Sequence, residues 1–226
     1  GWFNGIDLMF DSITLLIAIF IAAYSWKVYK LSNDNKFAYF SFSFSLISLA
    51  LFFKLITYGI LYYHPVRETA FQVLKPLTQG KVSYMDLFYR AGFFMQMASM
   101  LGGWLLIFLI SQKSRSRLRR YHEVSQIGLF AYLILLLSFV GNFRYEVFYL
   151  TSSVLLSLVV LNYYKNYLNN KNKNTLLVMN AFMLIFVSQL FFLFMSFWNG
   201  FYFAGETLLL VGFLLILHVY RRIVNL

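Results

Sequence analysis

Residues 36–63 read KFAYFSFSFSLISLALFFKLITYGILYY, and this stretch decides how the chain folds. As a helix it is long enough to cross a hydrocarbon core about 30 Å thick. One lysine, Lys54, interrupts the apolar run. A charge inside a span costs about 2.5–3.5 kcal/mol on insertion scales unless it is paired, hydrated or able to reach the interface. Whatever satisfies Lys54 therefore constrains the helices around it.

The whole chain has the composition of an integral membrane protein. Of its 226 residues, 61% are hydrophobic and 12% are charged, whereas soluble domains have about 45–50% and ~25%. The apolar runs are continuous for about 20 residues, which predicts helical spans and not an outer-membrane barrel. The lack of cysteine excludes disulfides, thiolate metal sites and cysteine nucleophiles. We interpret the net charge of +11 as cytoplasmic loops that contact anionic headgroups of the lipid bilayer, not as a nucleic-acid site.

Seven hydrophobic segments are predicted to form one all-α, multi-pass domain of the cell membrane, spanning residues 1–226. They cover about 7–29, 37–63, 85–111, 124–141, 144–166, 175–198 and 201–222. In this arrangement thirteen Lys and Arg residues lie on one side of the bilayer and four on the other. The positive-inside rule then predicts that the N-terminus is outside and the C-terminus cytoplasmic.

The spacing of similar residues also predicts an internal repeat, with halves at residues 7–112 and 144–222. A shift of 138 residues superimposes the two halves without a gap around their first loops. The matched pairs are Lys27 with Lys165, Tyr29 with Tyr167, Phe44 with Phe182, Leu46 with Leu184 and Ile47 with Ile185. Farther on, GGWLLIFL at 102–109 resembles VGFLLILH at 211–218. The alternative is chance similarity between Phe- and Leu-rich spans. A true repeat implies two parallel halves of three helices with a linking fourth.

Ionisable groups from several segments fall at a similar depth. Lys54 lies 18 residues after Lys36, or ~27 Å at 1.5 Å per residue, which places it in the outer part of the core. We expect an outward-facing polar vestibule for a small ligand or partner. Its candidate residues are Lys54, Glu206, Asp11, Arg90, Glu146, Gln96 and Gln189. Lys54 is expected to pair with Glu206 or with Asp11.

The alternative for the two buried basic residues is snorkelling. Lys54 and Arg90 would then extend their side chains to the headgroups, and Asp86 with Arg90 would form an ordinary i,i+4 pair. A cluster of cytoplasmic charge, the basic patch, consists of Lys113, Arg115, Arg117, Arg119 and Arg120. Contact with anionic headgroups explains it, and docking of a cytoplasmic protein partner is the other possibility.

Signatures of enzymes and cofactors are missing from the sequence. There is no H-E-x-x-H motif, no pair of histidines at helical spacing and no close pair of intramembrane aspartates. His218 stands alone in the last segment. We therefore expect a protein that is not an enzyme and has no metal site, haem or other cofactor.

Seven helices, an outside N-terminus and a 3+1+3 repeat resemble two groups of proteins in architecture. One is the prokaryotic seven-helix sensor and microbial-rhodopsin-like membrane domains. However, residues 203–219 lack the lysine that binds retinal in rhodopsins. The other is the sugar-transporting PQ-loop proteins of the SWEET type. Their prolines in helices one and five have no counterpart here, because Pro65 and Pro76 both lie between segments two and three.

Three functions follow from these features. The first is a non-enzymatic, sensor-like receptor or scaffold that binds a ligand in the outer vestibule and signals through the basic patch. The second is a transporter of a small solute or ion built from two three-helix bundles. The third is a structural subunit of a larger membrane complex, and the sequence leaves the oligomeric state open.

Overall fold

The computed structural model describes residues 6–62, 84–112, 144–198 and 200–224. These ranges contain helices α1 (Ile6–Ser32), α2 (Asn35–Tyr62), α3 (Tyr84–Ser111), α4 (Tyr145–Asn170), α5 (Lys173–Leu193) and α6 (Gly200–Val224). Each of these six helices is long and apolar enough to cross a membrane. The described part of the chain therefore has the architecture of an all-α, multi-pass membrane protein.

The helices lie where six of the seven segments are predicted, and the segment predicted at 124–141 lies outside the described residues. One boundary is wrong. The sixth segment is predicted to reach residue 198, but α5 ends at Leu193. Phe194 leaves the helix at φ −95° and ψ 8°, and a turn follows at residues 194–197. Hydropathy cannot detect this end because the turn is as apolar as the helix.

The six described helices form a closed ring in chain order, since each packs on the next and α6 packs back on α1. Helices α3 and α4 run parallel, because the order of their contacts is the same along both: Gln96 near the middle of α3 bonds to Tyr145 at the start of α4, and Ser111 at the end of α3 bonds to Asn162 farther along α4. Helices α1, α3, α4 and α6 begin at one end of the bundle, here called the start end. Helices α2 and α5 begin at the opposite end, here called the turn end. The chain thus leaves α3 at the turn end and enters α4 at the start end.

Two tight turns of the same construction connect helices at the turn end. Asn33 and Lys171 have positive φ values of 53° and 45°, and their N–H groups donate to the carbonyl four residues earlier at 2.8 and 2.7 Å. The next residue, Asp34 or Asn172, accepts the N–H two residues later at 3.0 or 2.9 Å. A left-handed residue therefore ends one helix and an Asx side chain caps the next. Corresponding residues of the two turns are 138 positions apart.

Two glycines permit the closest helix contacts, again in matching ways. A Cβ on Gly103 of α3 would lie 2.6 Å from Cγ1 of Ile47 and 2.9 Å from a backbone carbonyl oxygen of α2. A Cβ on Gly212 of α6 would lie 2.6 Å from Cγ1 of Ile185 and 3.0 Å from a carbonyl oxygen of α5. Small residues allow close packing in a membrane, where no hydrophobic force drives helices together. These glycines therefore set the spacing of α2 with α3 and of α5 with α6.

Aromatic side chains fill the inside of the ring toward the turn end. The ring of Phe213 lies 5.7 Å from that of Phe44 and 6.4 Å from that of Trp104, between centroids. Phe40 stacks on Tyr220 at 4.8 Å. Helices α2 and α3 thus contact α6 through side chains across the interior.

We expect Gly103→Ala to lower the free energy of unfolding by about 1–3 kcal/mol, because the added methyl group overpacks the α2–α3 contact. Gly102→Ala is the matched control, since a Cβ there would meet only Cδ1 of Leu46 at 3.7 Å. Unfolding in mixed micelles, followed by circular dichroism, measures both variants. Equal stabilities would contradict the close approach at Gly103.

Candidate functional site: a buried ion triad

Lys54 forms two ion pairs inside the bundle. Its Nζ lies 2.8 Å from Oδ1 of Asp11 and 2.8 Å from Oε1 of Glu206. The exposed fractions of the side chains are 6% for Lys54, 0% for Asp11 and 1% for Glu206. We call these three residues the ion triad. Charges in such an interior persist only when they are paired and hydrogen-bonded, so the triad constrains three helices at once.

The ion triad lies near the start end of the bundle. Asp11 comes five residues after the start of α1, and Glu206 comes six residues after the start of α6, so both lie within about 9 Å of their helix ends. Lys54 reaches them from α2, eight residues before the last residue of that helix. It pairs with both acids that the sequence indicates as partners. Snorkelling is wrong for Lys54, because its ammonium group is inside the bundle.

Aromatic rings surround the lysine ammonium in addition to the two carboxylates. The Nζ lies 5.8 Å from the ring centroid of Tyr58 and 5.9 Å from the centroids of Phe192 and Tyr202. These distances are within the ~6 Å range of cation–π attraction. The ammonium therefore has carboxylate oxygens on some sides and ring faces on others.

A chain of ring contacts continues from the triad around the bundle. Tyr202 lies 5.7 Å from Phe192, Phe192 lies 5.1 Å from Tyr149, and Tyr149 lies 6.0 Å from Tyr145. Tyr145 packs edge-on against Phe93 at 4.7 Å. We call these five residues the aromatic cluster. It occupies α3, α4, α5 and α6, so the triad and the cluster together join all six described helices in one layer.

This layer is asymmetric, in contrast to the matching turns at Asn33 and Lys171 and the matching glycine contacts of Gly103 and Gly212. A shift of 138 residues places Asp11 on Tyr149 and Lys54 on Phe192. The ion pair between α1 and α2 thus corresponds to a ring contact between α4 and α5. The lysine and one acid come from the first three helices, and only Glu206 comes from the last three.

The other predicted vestibule residues have different positions. Gln96 is buried, and its Oε1 accepts a hydrogen bond from the hydroxyl of Tyr145 at 3.3 Å. Gln189 is also buried, and its Nε2 donates to Oγ of Ser188 on the same helix at 3.3 Å. Arg90 and Glu146 are exposed, and neither belongs to the two ion pairs of Lys54. The structure thus brings Lys54, Asp11 and Glu206 together. Gln96 is connected to them only indirectly, through Tyr145 of the aromatic cluster.

The basic patch at residues 113–120 lies outside the described residues. The aromatic residues of the site are not indicated by hydropathy or charge in the sequence. One signal for them is present, because Phe192 is the counterpart of Lys54 in the predicted repeat. In a repeat, a residue that faces the interior in one half is expected to have a counterpart in the other half that also faces the interior, at the same depth. This reasoning identifies Tyr149 and Phe192, but it does not identify Tyr58 or Tyr202.

Comparison with protein-family models, with curated proteins and with solved structures finds no match for this chain. Function is therefore inferred from the site itself and from the arrangement of the helices that carry it.

We expect Lys54→Met to lower the free energy of unfolding by about 3–5 kcal/mol, because it leaves two buried carboxylates without their cation. Adding Asp11→Asn and Glu206→Gln to this variant is expected to recover most of the loss, since the buried charges are then gone. Lys27→Met, at an exposed position of α1, is the control. Unfolding in micelles provides the measurement. A Lys54→Met protein as stable as the control would show that the triad does not stabilise this end.

Proposed function

We propose that the protein is a transporter of a small solute, in which two three-helix halves move relative to each other and the ion triad gates the start end. One observation carries this proposal. Asp11 and Lys54 belong to α1 and α2, in the first half, whereas Glu206 belongs to α6, in the second. The buried pair of Lys54 with Glu206 therefore ties the two halves together where they meet.

The triad is arranged so that this tie breaks without leaving the lysine alone. If α6 moves away, Lys54 keeps its ion pair with Asp11 in its own half. Separation then costs one charge-assisted hydrogen bond instead of two, and it turns Glu206 toward the opening. An ion pair made in one arrangement and lost in another biases a two-state equilibrium, which is what a gate requires.

Matching contacts support the treatment of each half as a unit. The turns at Asn33 and Lys171 have the same geometry, and so do the glycine contacts of Gly103 and Gly212. We take the halves to be a parallel internal repeat. Transporters often place their site between two such bundles, which rock about it.

The proposal includes a seventh span that links the halves. Helix α3 ends at the turn end, and α4 begins at the start end. To connect the end of α3 with the start of α4, the chain has to cross the membrane an odd number of times. Residues 124–141 are the apolar stretch of suitable length between them.

We place the turn end in the cytoplasm. Exposed basic residues at this end include Lys27, Lys30, Lys165, Arg221 and Arg222. Such residues favour the cytoplasmic face and contact with anionic headgroups. The ion triad then faces the outside, and the aromatic contacts of Phe213 close the path toward the cytoplasm.

A sensor-like receptor or scaffold is the second candidate. It is favoured by the layer that joins all six described helices, because a continuous layer also suits a fixed bundle that passes on small shifts. The two candidates differ in access to the interior. A transporter exposes its interior to both sides in turn, whereas a sensor exposes it to one.

Thiol labelling tests this difference, since the natural chain has no cysteine. Ser152→Cys puts a thiol at a fully buried position of α4, about one helical turn from Tyr149 toward the turn end. In proteoliposomes we expect a membrane-impermeant maleimide to label it from either side. Adding Glu206→Gln, which weakens the tie, should raise labelling from outside by about tenfold, as loss of a charged hydrogen bond implies.

Val154→Cys is the matched control, because this side chain is 55% exposed on the outer surface of the same helix, where lipid excludes the reagent. Labelling of Ser152→Cys from one side only would favour the sensor. Lack of labelling from both sides, in a protein that is folded, would contradict gating altogether.

A further inference from the structure

The ion triad carries an unequal number of charges. The carboxylates of Asp11 and Glu206 meet the single ammonium of Lys54. With both acids ionised, these three groups together have a formal charge of −1. Uncompensated charge in a dry interior is costly, so the layer favours a further cation.

The second carboxylate oxygen of Glu206 indicates where that cation binds. Its Oε1 accepts from Nζ of Lys54 at 2.8 Å. Its Oε2 is buried and has no hydrogen-bond partner among the described residues. A buried carboxylate oxygen is normally satisfied by a donor, and the residue itself is only 1% exposed. Within the described part of the chain, Oε2 of Glu206 is thus an unused hydrogen-bond acceptor beside the ion pair that joins the two halves.

The rings around Nζ of Lys54, which bonds the other oxygen of this carboxylate, favour an organic cation over a metal ion. Tyr202 lies one helical turn before Glu206 on α6 and contacts Phe192. A Cβ on Gly205 would lie 2.7 Å from Cε1 of Phe192, so glycine lets this ring approach α6 closely. Mg²⁺ and Ca²⁺ require about six or more oxygen ligands. Ring faces combined with carboxylates are instead the environment of an ammonium group.

Lys54 demonstrates this preference with its own side chain. Its terminal group is a primary alkylammonium, and it binds here through two carboxylate oxygens and three ring faces. We infer that the ion triad and its rings form a binding site for a small primary alkylammonium, which binds Glu206 through Oε2 and takes the place of Lys54 there as the halves part. This inference rests on the proposed function and names the solute class that opens the gate.

Binding of ethylammonium to the full chain in lipid nanodiscs tests the inference. Calorimetry is expected to show saturable binding of ethylammonium chloride, with no competition from sodium chloride at the same ionic strength. Glu206→Gln is expected to weaken binding at least about tenfold, because it removes a charged acceptor. Glu146→Gln, an exposed acid at the same end of the bundle, is the control and should leave binding unchanged.

The rings are tested separately at Tyr202. Tyr202→Phe keeps a ring face and is expected to bind ethylammonium within about twofold of the natural chain. Tyr202→Leu removes the face and should weaken binding about three- to tenfold. Tyr39→Leu, which removes an exposed tyrosine of α2, controls for a general loss of stability. Equal binding by the Leu and Phe variants at Tyr202 would overturn the role of the rings.

Lys54→Met separates a ligand site from an internal counter-ion. With the lysine gone, ethylammonium should bind at least about tenfold more tightly, since it no longer competes with a tethered ammonium. If Lys54→Met binds ethylammonium and the natural chain does not, Lys54 is a permanent counter-ion and the inference is wrong. It is equally wrong if neither binds, or if sodium competes as well as ethylammonium.

These results are independent of the labelling experiment. Two-sided labelling of Ser152→Cys without ethylammonium binding would overturn the ligand class and leave the transporter. Ethylammonium binding with one-sided labelling would overturn transport and leave a receptor for organic ammonium ions.

Discussion

A lysine inside an apolar bundle has to find its counter-charges on neighbouring helices, and the rest of this structure depends on that constraint. Lys54 is buried in the bundle, and its ammonium is satisfied by Asp11 on α1 and Glu206 on α6. The three helices are thereby held in one rotation and one register near the start end. Packing of apolar faces alone leaves rotation weakly determined, because lipid tails compete equally well for such surfaces.

Close backbone contacts and tight turns determine the rest of the helix arrangement. Gly103 and Gly212 admit an isoleucine of the neighbouring helix at the same distance, and Asn33 and Lys171 reverse the chain in the same left-handed conformation. These two pairs of matching contacts are what the proposed repeat of two three-helix units predicts. They do not say which unit carries charge, and the ion triad makes that distinction. One half contributes an ammonium with its own acid, and the other contributes a single carboxylate.

This distribution of charge, with Lys54 and Asp11 on one side and Glu206 on the other, determines how the site can open. In the proposed transporter, the ion pair of Lys54 with Glu206 breaks when the halves separate, while Lys54 remains paired with Asp11 in its own half. The released carboxylate then faces aromatic rings that already accommodate an ammonium group. In the proposed transporter, gating and recognition of an organic cation use the same atoms, because a ligand that binds Glu206 also removes the contact that keeps the halves together.

Much of this protein follows from its sequence alone, because hydropathy, charge and spacing are local properties. The apolar runs specify all six described spans, Lys54 stands out by its depth, and its candidate partners are the few acids at the same level. The tertiary structure decided the rest. Partners 43 and 152 residues from Lys54 meet it together because helix rotation, which periodicity does not encode, turns them inward. The same rotation leaves Arg90 and Glu146 exposed. The rings around the ammonium and the early end of α5 depend on side-chain packing and backbone geometry, so neither could be predicted from residue type.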